Sequence, residues 1–95
     1  METITIIIND APYGTEKSWN ALRLSKALVT LKQKVNIFLM GDAVGLAKSG
    51  QQTPTGYYNL AQMLAELIAL GIEVRACGTC VSSRGLNEAE LVNGV

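Results

Sequence analysis

The 95-residue chain contains no histidine. That removes the commonest general base at neutral pH and the commonest metal ligand. Cysteine is scarce: Cys77 and Cys80 are the two in the chain, so a four-ligand zinc or iron–sulfur site would need ligands from a second subunit and none is expected. Charge of one sign is missing too. Eight basic residues balance eight acidic ones, which leaves no field to gather nucleic acid or anionic lipid. The basic residues lean toward the N-terminal half (Lys17, Arg23, Lys26, Lys32, Lys34, Lys48), where they read as a solvated helix face. No apolar run approaches the roughly 18–20 residues that span a bilayer. Met1-Glu2 supplies no positive region of a secretory signal. The expected location is therefore cytoplasmic, where thiols are usually kept reduced, and neither membrane nor nucleic acid is an expected partner.

What the chain does have is apolar bulk, 48% of residues against 17% charged. One small domain over residues 1–95 is expected, and a domain of this size buries only a modest fraction of its surface. The surplus points to burial against another copy.

Thr3–Asn9 is nearly continuous in β-branched residues and predicts a central strand buried on both faces. Asp10–Gly14 breaks it, with Pro12 and Gly14 marking a loop. Thr15 is a candidate cap for a helix from Glu16 to about Leu31, with Ala21, Leu24, Ala27, Leu28 and Leu31 as its apolar stripe. Val35–Met40 reads as a second strand, Gly41-Asp42 as a turn, and Ala43–Lys48 as a short helical piece. Ser49–Gly56 reads as a polar, mobile surface loop. A helix over Tyr57–Leu70 follows, apolar on most sides, with Gly71 as its C′ residue. Ile72–Cys77 is a third strand, and Asn87 caps a last helix through Val92. Strands alternating with helices predict an α/β domain with a mostly parallel sheet.

In such sheets functional groups collect beyond the carboxyl ends of the strands. Three loops qualify: Asp10–Thr15, Gly41-Asp42 and Cys77–Gly85. The last holds both cysteines in a C-x-x-C spacing, among Gly78, Thr79, Ser82, Ser83 and Gly85, with Arg84 adding a positive charge. Backbone N–H groups in a loop of small residues can stabilise a thiolate, the reactive form of cysteine. Cys77, at the strand end, is the candidate nucleophile, and Cys80 either shares that chemistry or packs as a small hydrophobe. Asp10 and Asp42 read as turn formers. Tyr13 either lines a pocket or covers the sheet edge. A thioredoxin-like enzyme would place its C-x-x-C at the start of a long helix, soon after an N-terminal strand, with a cis-proline nearby. Here the pair comes late and the prolines are Pro12 and Pro54. Asp10-Ala-Pro-Tyr-Gly-Thr15 is not a dinucleotide fingerprint, and no cofactor is expected.

Three stretches together resemble the DsrE/DsrF-like family, with its TusD-type sulfur-relay and YchN-like members. These are Ile7–Thr15 ahead of an amphipathic helix, the strand Val35–Gly41, and Val74–Gly85, where a strand delivers a cysteine and Arg84-Gly85 follows. The resemblance spans nearly the whole chain. It implies a three-layer α/β/α sandwich around a mostly parallel sheet, flavodoxin-like in general layout. It implies that Cys77 accepts sulfane sulfur from a donor protein, holds it as a persulfide and passes it to an acceptor protein. Tyr13, Gly14, Thr15, Gly78, Thr79, Arg84 and Gly85 would support the site, and the chain would assemble as a homo-oligomer, a trimer or hexamer. Cys80 departs from the TusD-type pattern, although some YchN-like members carry a second nearby cysteine, which could close a disulfide on Cys77. A further helix and closing strand beyond Val95 are also implied. Two readings of other classes stand beside this one: a thiol–disulfide redox protein using Cys77 and Cys80 together, and a non-catalytic oligomeric interaction module.

Overall fold

A computed structural model of the chain describes residues 2–95. Its elements are β1 (Thr3–Ile8), α1 (Lys17–Thr30), β2 (Lys34–Leu39), a 3-10 segment (Gly41–Ala47), α2 (Leu60–Ala69), β3 (Glu73–Ala76), a short α3 (Gly78–Ser83) and a 3-10 turn (Glu88–Glu90). The three strands form one sheet in the order β1-β2-β3, parallel throughout. Ile6 pairs with Ile37, and Ile37 with Val74. The α/β class, the parallel sheet and the flavodoxin-like layout are thus as the sequence predicts.

The sheet is two-faced because strand side chains alternate. Ile8, Val35, Ile37, Leu39 and Val74 are buried under the helices, and α1 packs on both β1 and β2 and against α2. The described residues furnish long helices on this face. Thr5, Ile7, Asn36, Phe38, Glu73 and Arg75 point the other way and are exposed or half-buried. This corrects the expectation for the first strand. β1 is an edge, β2 is the centre, and Ile7 is 56% exposed. A run of isoleucines cannot distinguish a strand covered on two faces from one covered on a single face.

The stripe predicted for α1 holds in part: Ala21 and Leu28 pack against the core. Ser18, Leu22 and Ser25 are its buried positions, whereas Leu24 and Leu31 are exposed. The serines bury without penalty because each hydroxyl has a backbone partner. Ser18 donates to the carbonyls of Asp10 (2.8 Å) and Ala11 (3.2 Å), and Ser25 to that of Ala21 (2.8 Å). Their small size lets the helix sit close to the sheet, and Leu24 and Leu31 turn outward. With Met63 and Leu70 of the α2 side, Leu31 and Trp19 border an apolar groove of about 1040 Å3 between the two helices. Neither cysteine lines it.

α2 begins later than the apolar pattern predicts. Asn59 is its cap, accepting from the N–H of Gln62 at 3.0 Å, so Tyr57 lies outside the helix. Gly71 follows its C-cap as the C′ residue, as predicted, and adopts φ +98°. The helix predicted after Asn87 is one 3-10 turn. Glu90 accepts from the Asn87 N–H through its side chain, and the chain then bridges antiparallel to Lys48 through Leu91. Those bonds hold Leu91 extended, so the helix cannot propagate.

The stretch predicted as a mobile loop is anchored by Gln51. Its Nε2 donates to the carbonyls of Gly45 (3.1 Å), Leu46 (3.0 Å) and Lys48 (2.9 Å). Its Oε1 accepts from Tyr13 Oη (2.6 Å) and from the N–H of Ala61 (3.3 Å). Three carbonyls on one side and two donors on the other fix which way the amide points. Gln51→Ala orphans several of these groups and is expected to cost about 2 kcal/mol, a fall in Tm of roughly 10 °C for a domain of this size. Gln51→Glu keeps the shape but turns an oxygen toward three carbonyls. It should be no better than alanine at neutral pH in the same calorimetric scan.

Candidate functional site

The carboxyl ends of the strands meet where backbone bonds splice the loops together. Met40 N–H donates to Ile8 O at 3.0 Å, and Cys77 N–H to Leu39 O at 2.9 Å. The loop after β2 is therefore central, with the β1 loop on one side and the cysteines on the other. Pro12 packs so tightly on Gly45 that a β-carbon there would lie 3.3 Å from its ring.

Cys77–Gly85, predicted as a loop, is mostly helix. Cys77 is the extended N-cap of α3 (φ −62°, ψ 118°), and Cys80 is the third helical residue. Ser82 and Ser83 stay on the solvent side, while Val81 is buried and anchors the turn in the core. The chain thus does set its C-x-x-C at a helix start, although that helix has six residues. Gly85 follows the helix with φ +71°.

Both cysteines are free thiols and half-buried. The Cys80 sulfur accepts from the Gly41 N–H at 3.3 Å. Gly41 holds φ +55°, a conformation that suits glycine, and this backbone turn aims its N–H at the sulfur. The Cys77 thiol is held below its ordinary value. The N–H of Cys80 is the largest cause, then the Cys80 thiol, with smaller help from the Thr79 N–H and the Arg84 charge, while partial burial works against them. The N–H groups act from nearby without closing a capping hydrogen bond.

Arg84 is fixed rather than free. One guanidinium nitrogen meets Asp42 Oδ1 at 2.8 Å and the other donates to the Cys80 carbonyl at 3.1 Å. Asp42 pushes the guanidinium pKa further up. Asp42 read as a turn former in the sequence, and it does stand in the first turn of the 3-10 segment. Its pairing with a residue 42 positions away left no local signal.

The supporting residues divide into two groups. Gly78, Thr79, Arg84 and Gly85 belong to the cysteine turn. Tyr13, Gly14 and Thr15 lie in the β1 loop, and their bonds lead elsewhere. Tyr13 Oη donates to Gln51 and accepts from the Leu60 N–H at 3.1 Å, so it caps α2. Its ring stacks on Tyr58, which stacks in turn on Trp19. Thr15 Oγ1 accepts from the Lys17 N–H at 3.4 Å. Asp10 pairs with Lys17 on the surface. The two sulfurs are the ligand-type atoms gathered at the site. Among the described residues no three Cys, Asp or Glu side chains converge as a metal set would.

The model of the DsrE/DsrF-like family matches residues 2–95. The chain belongs to that family. Among DsrE/DsrF-like relatives, the Escherichia coli protein YchN is 41% identical over 97 residues, spanning all of this chain and 82% of its own length. An uncharacterized protein of Methanopyrus kandleri is 40% identical over 95 residues, again across the whole chain and 78% of its own. The crystal structure of the ychN protein from E. coli superposes with a TM-score of 0.92, covering 100% of this chain and 82% of that one. DsrE/DsrF-like membership supports a small protein connected with sulfur metabolism. Among the described residues no helix is long and apolar enough to cross a membrane.

Proposed function

We propose that the protein is a sulfur carrier in which Cys77 accepts a sulfane sulfur from a donor protein and passes it to an acceptor protein. The observation that carries this reading is the Cys77 thiol itself, half-exposed at the carboxyl end of β3 and held toward its anionic form. A thiolate at that position attacks the outer sulfur of a donor persulfide R–S–SH, forming Cys77–S–SH and releasing R–S⁻. An acceptor thiolate then takes the same outer sulfur and returns Cys77 as thiolate. Each transfer balances without an outside oxidant or reductant. Family membership supports the sulfur chemistry, and the Asp42–Arg84 pair supports the turn that presents the thiol.

The proximity of Cys80 also favours dithiol redox chemistry. That reading predicts loss of two hydrogens to an oxidant and no gain of sulfur. Intact mass distinguishes them. Incubation of Cys80→Ser with a small-molecule persulfide should add the mass of one sulfur atom, mapped to Cys77, and Cys77→Ser should show none of it. Equal uptake by Cys77→Ser would end the proposal.

A further inference from the structure

Cys80 is not needed for either transfer step, yet three hydrogen bonds fix it in the turn that begins at Cys77. Gly41 N–H fixes its sulfur at 3.3 Å, Arg84 clamps its carbonyl at 3.1 Å, and Ser83 Oγ donates to that same carbonyl at 3.2 Å. Cys77 as N-cap and Cys80 as third residue occupy the two positions of a capping box, where each side chain is directed toward the other residue's backbone N–H. The Val81 N–H closes the turn on the Cys77 carbonyl at 3.0 Å, so the two sulfurs share one rigid turn.

Resting on the carrier reading above, we infer that Cys80 is a release valve, a resolving thiol that discharges a persulfide left on Cys77 when no acceptor arrives. The Cys80 thiolate attacks the inner sulfur, Sγ of Cys77, which forms the Cys77–Cys80 disulfide and expels the outer sulfur as hydrosulfide. Cys77–S–SH and Cys80–SH thus give the disulfide and one hydrogen sulfide. The outer sulfur takes up the two electrons that the two cysteine sulfurs lose, so no external oxidant is required. An external thiol reductant returns the pair to the dithiol by exchange. Productive transfer and discharge differ in which sulfur is attacked. An acceptor coming from outside reaches the outer atom, whereas Cys80, fixed beside the inner one, reaches that.

The test compares the parent with Cys80→Ser. Both are loaded with glutathione persulfide, freed of donor, and left without acceptor. Release of hydrogen sulfide is followed alongside intact mass and peptide mapping under non-reducing conditions. The parent should lose its persulfide roughly ten-fold faster or more, since the attacking group is held in place. The sulfide it releases should match the protein in amount, with a Cys77–Cys80 disulfide forming at the same rate. Cys80→Ser should keep the added sulfur. Equal lifetimes overturn the inference and leave the carrier reading standing, as does sulfide release from the parent with no disulfide. Absence of sulfur on Cys77 in both proteins overturns the two together. Should Cys80→Ser fold poorly by circular dichroism, the parent's ratio of disulfide to released sulfide decides alone.

Discussion

Leu39→Ala is expected to remove about 3 kcal/mol from the stability of the fold. Leu39 is fully buried at the end of the central strand, in the one apolar cluster that joins sheet, 3-10 segment and α2. Deleting its isobutyl group loses both its transfer free energy and the contacts of the atoms around the resulting void. Domains of this size have a total stability of roughly 5–15 kcal/mol, so the fraction is large. In urea the midpoint should fall by about 2 M with an unchanged slope. The same residue supplies the carbonyl that receives the Cys77 N–H, so faster alkylation or altered selectivity between the cysteines should accompany the loss. A change below about 1 kcal/mol would mean that the cluster closes over the gap or that Leu39 is not in it.

The second large effect is on the reactivity of Cys77 against pH. A lowered pKa means that thiolate persists to lower pH than for a free cysteine, and only thiolate is alkylated at an appreciable rate. The iodoacetamide rate at Cys77, read by peptide mapping, should inflect below that of the unfolded chain. Cys80→Ala removes one of the two largest causes and should move the inflection up; Arg84→Ala, which removes the smallest, should move it less. The reverse order would show that the guanidinium charge dominates. The linkage to stability has a definite sign. Between the folded and the unfolded pKa the unfolded chain holds more protons, so this group's contribution grows as pH rises through that window. It is fully present above the unfolded value and is lost as pH falls through the folded one.

The order of elements was legible because it depends on local pattern. Three β-rich runs separated by helical spacing leave few alternatives to a parallel sheet. The C-x-x-C at a strand's carboxyl end was legible for the same reason. What escaped depends on partners distant in sequence. Ser18 and Ser25 look like solvent residues until backbone carbonyls are placed beside them. Ile7 looks like core until the helices gather on the opposite face of the sheet. Gln51 sits in a run of polar residues whose composition reads as a mobile surface loop, and its five side-chain bonds draw on the 3-10 segment, the β1 loop and α2. The Asp42–Arg84 pair joins two turns that propensity describes separately and never together. The helical form of the cysteine turn was hidden by its own residues, since Gly, Thr and Ser favour turns unless a buried residue such as Val81 pins them.

β3 is the shortest of the three strands, with four residues and, among the described residues, a ladder on one side only. Every second amide of such a border strand faces solvent instead of a neighbour, and hydrogen exchange begins at places of that kind. The Cys77 turn therefore hangs from the hem of the described sheet, where fraying is cheapest. On the carrier reading proposed above, a visiting donor would need to unpick little of the domain to gain entry, and the four isoleucines of β1 at the opposite border would stay in place while it did so.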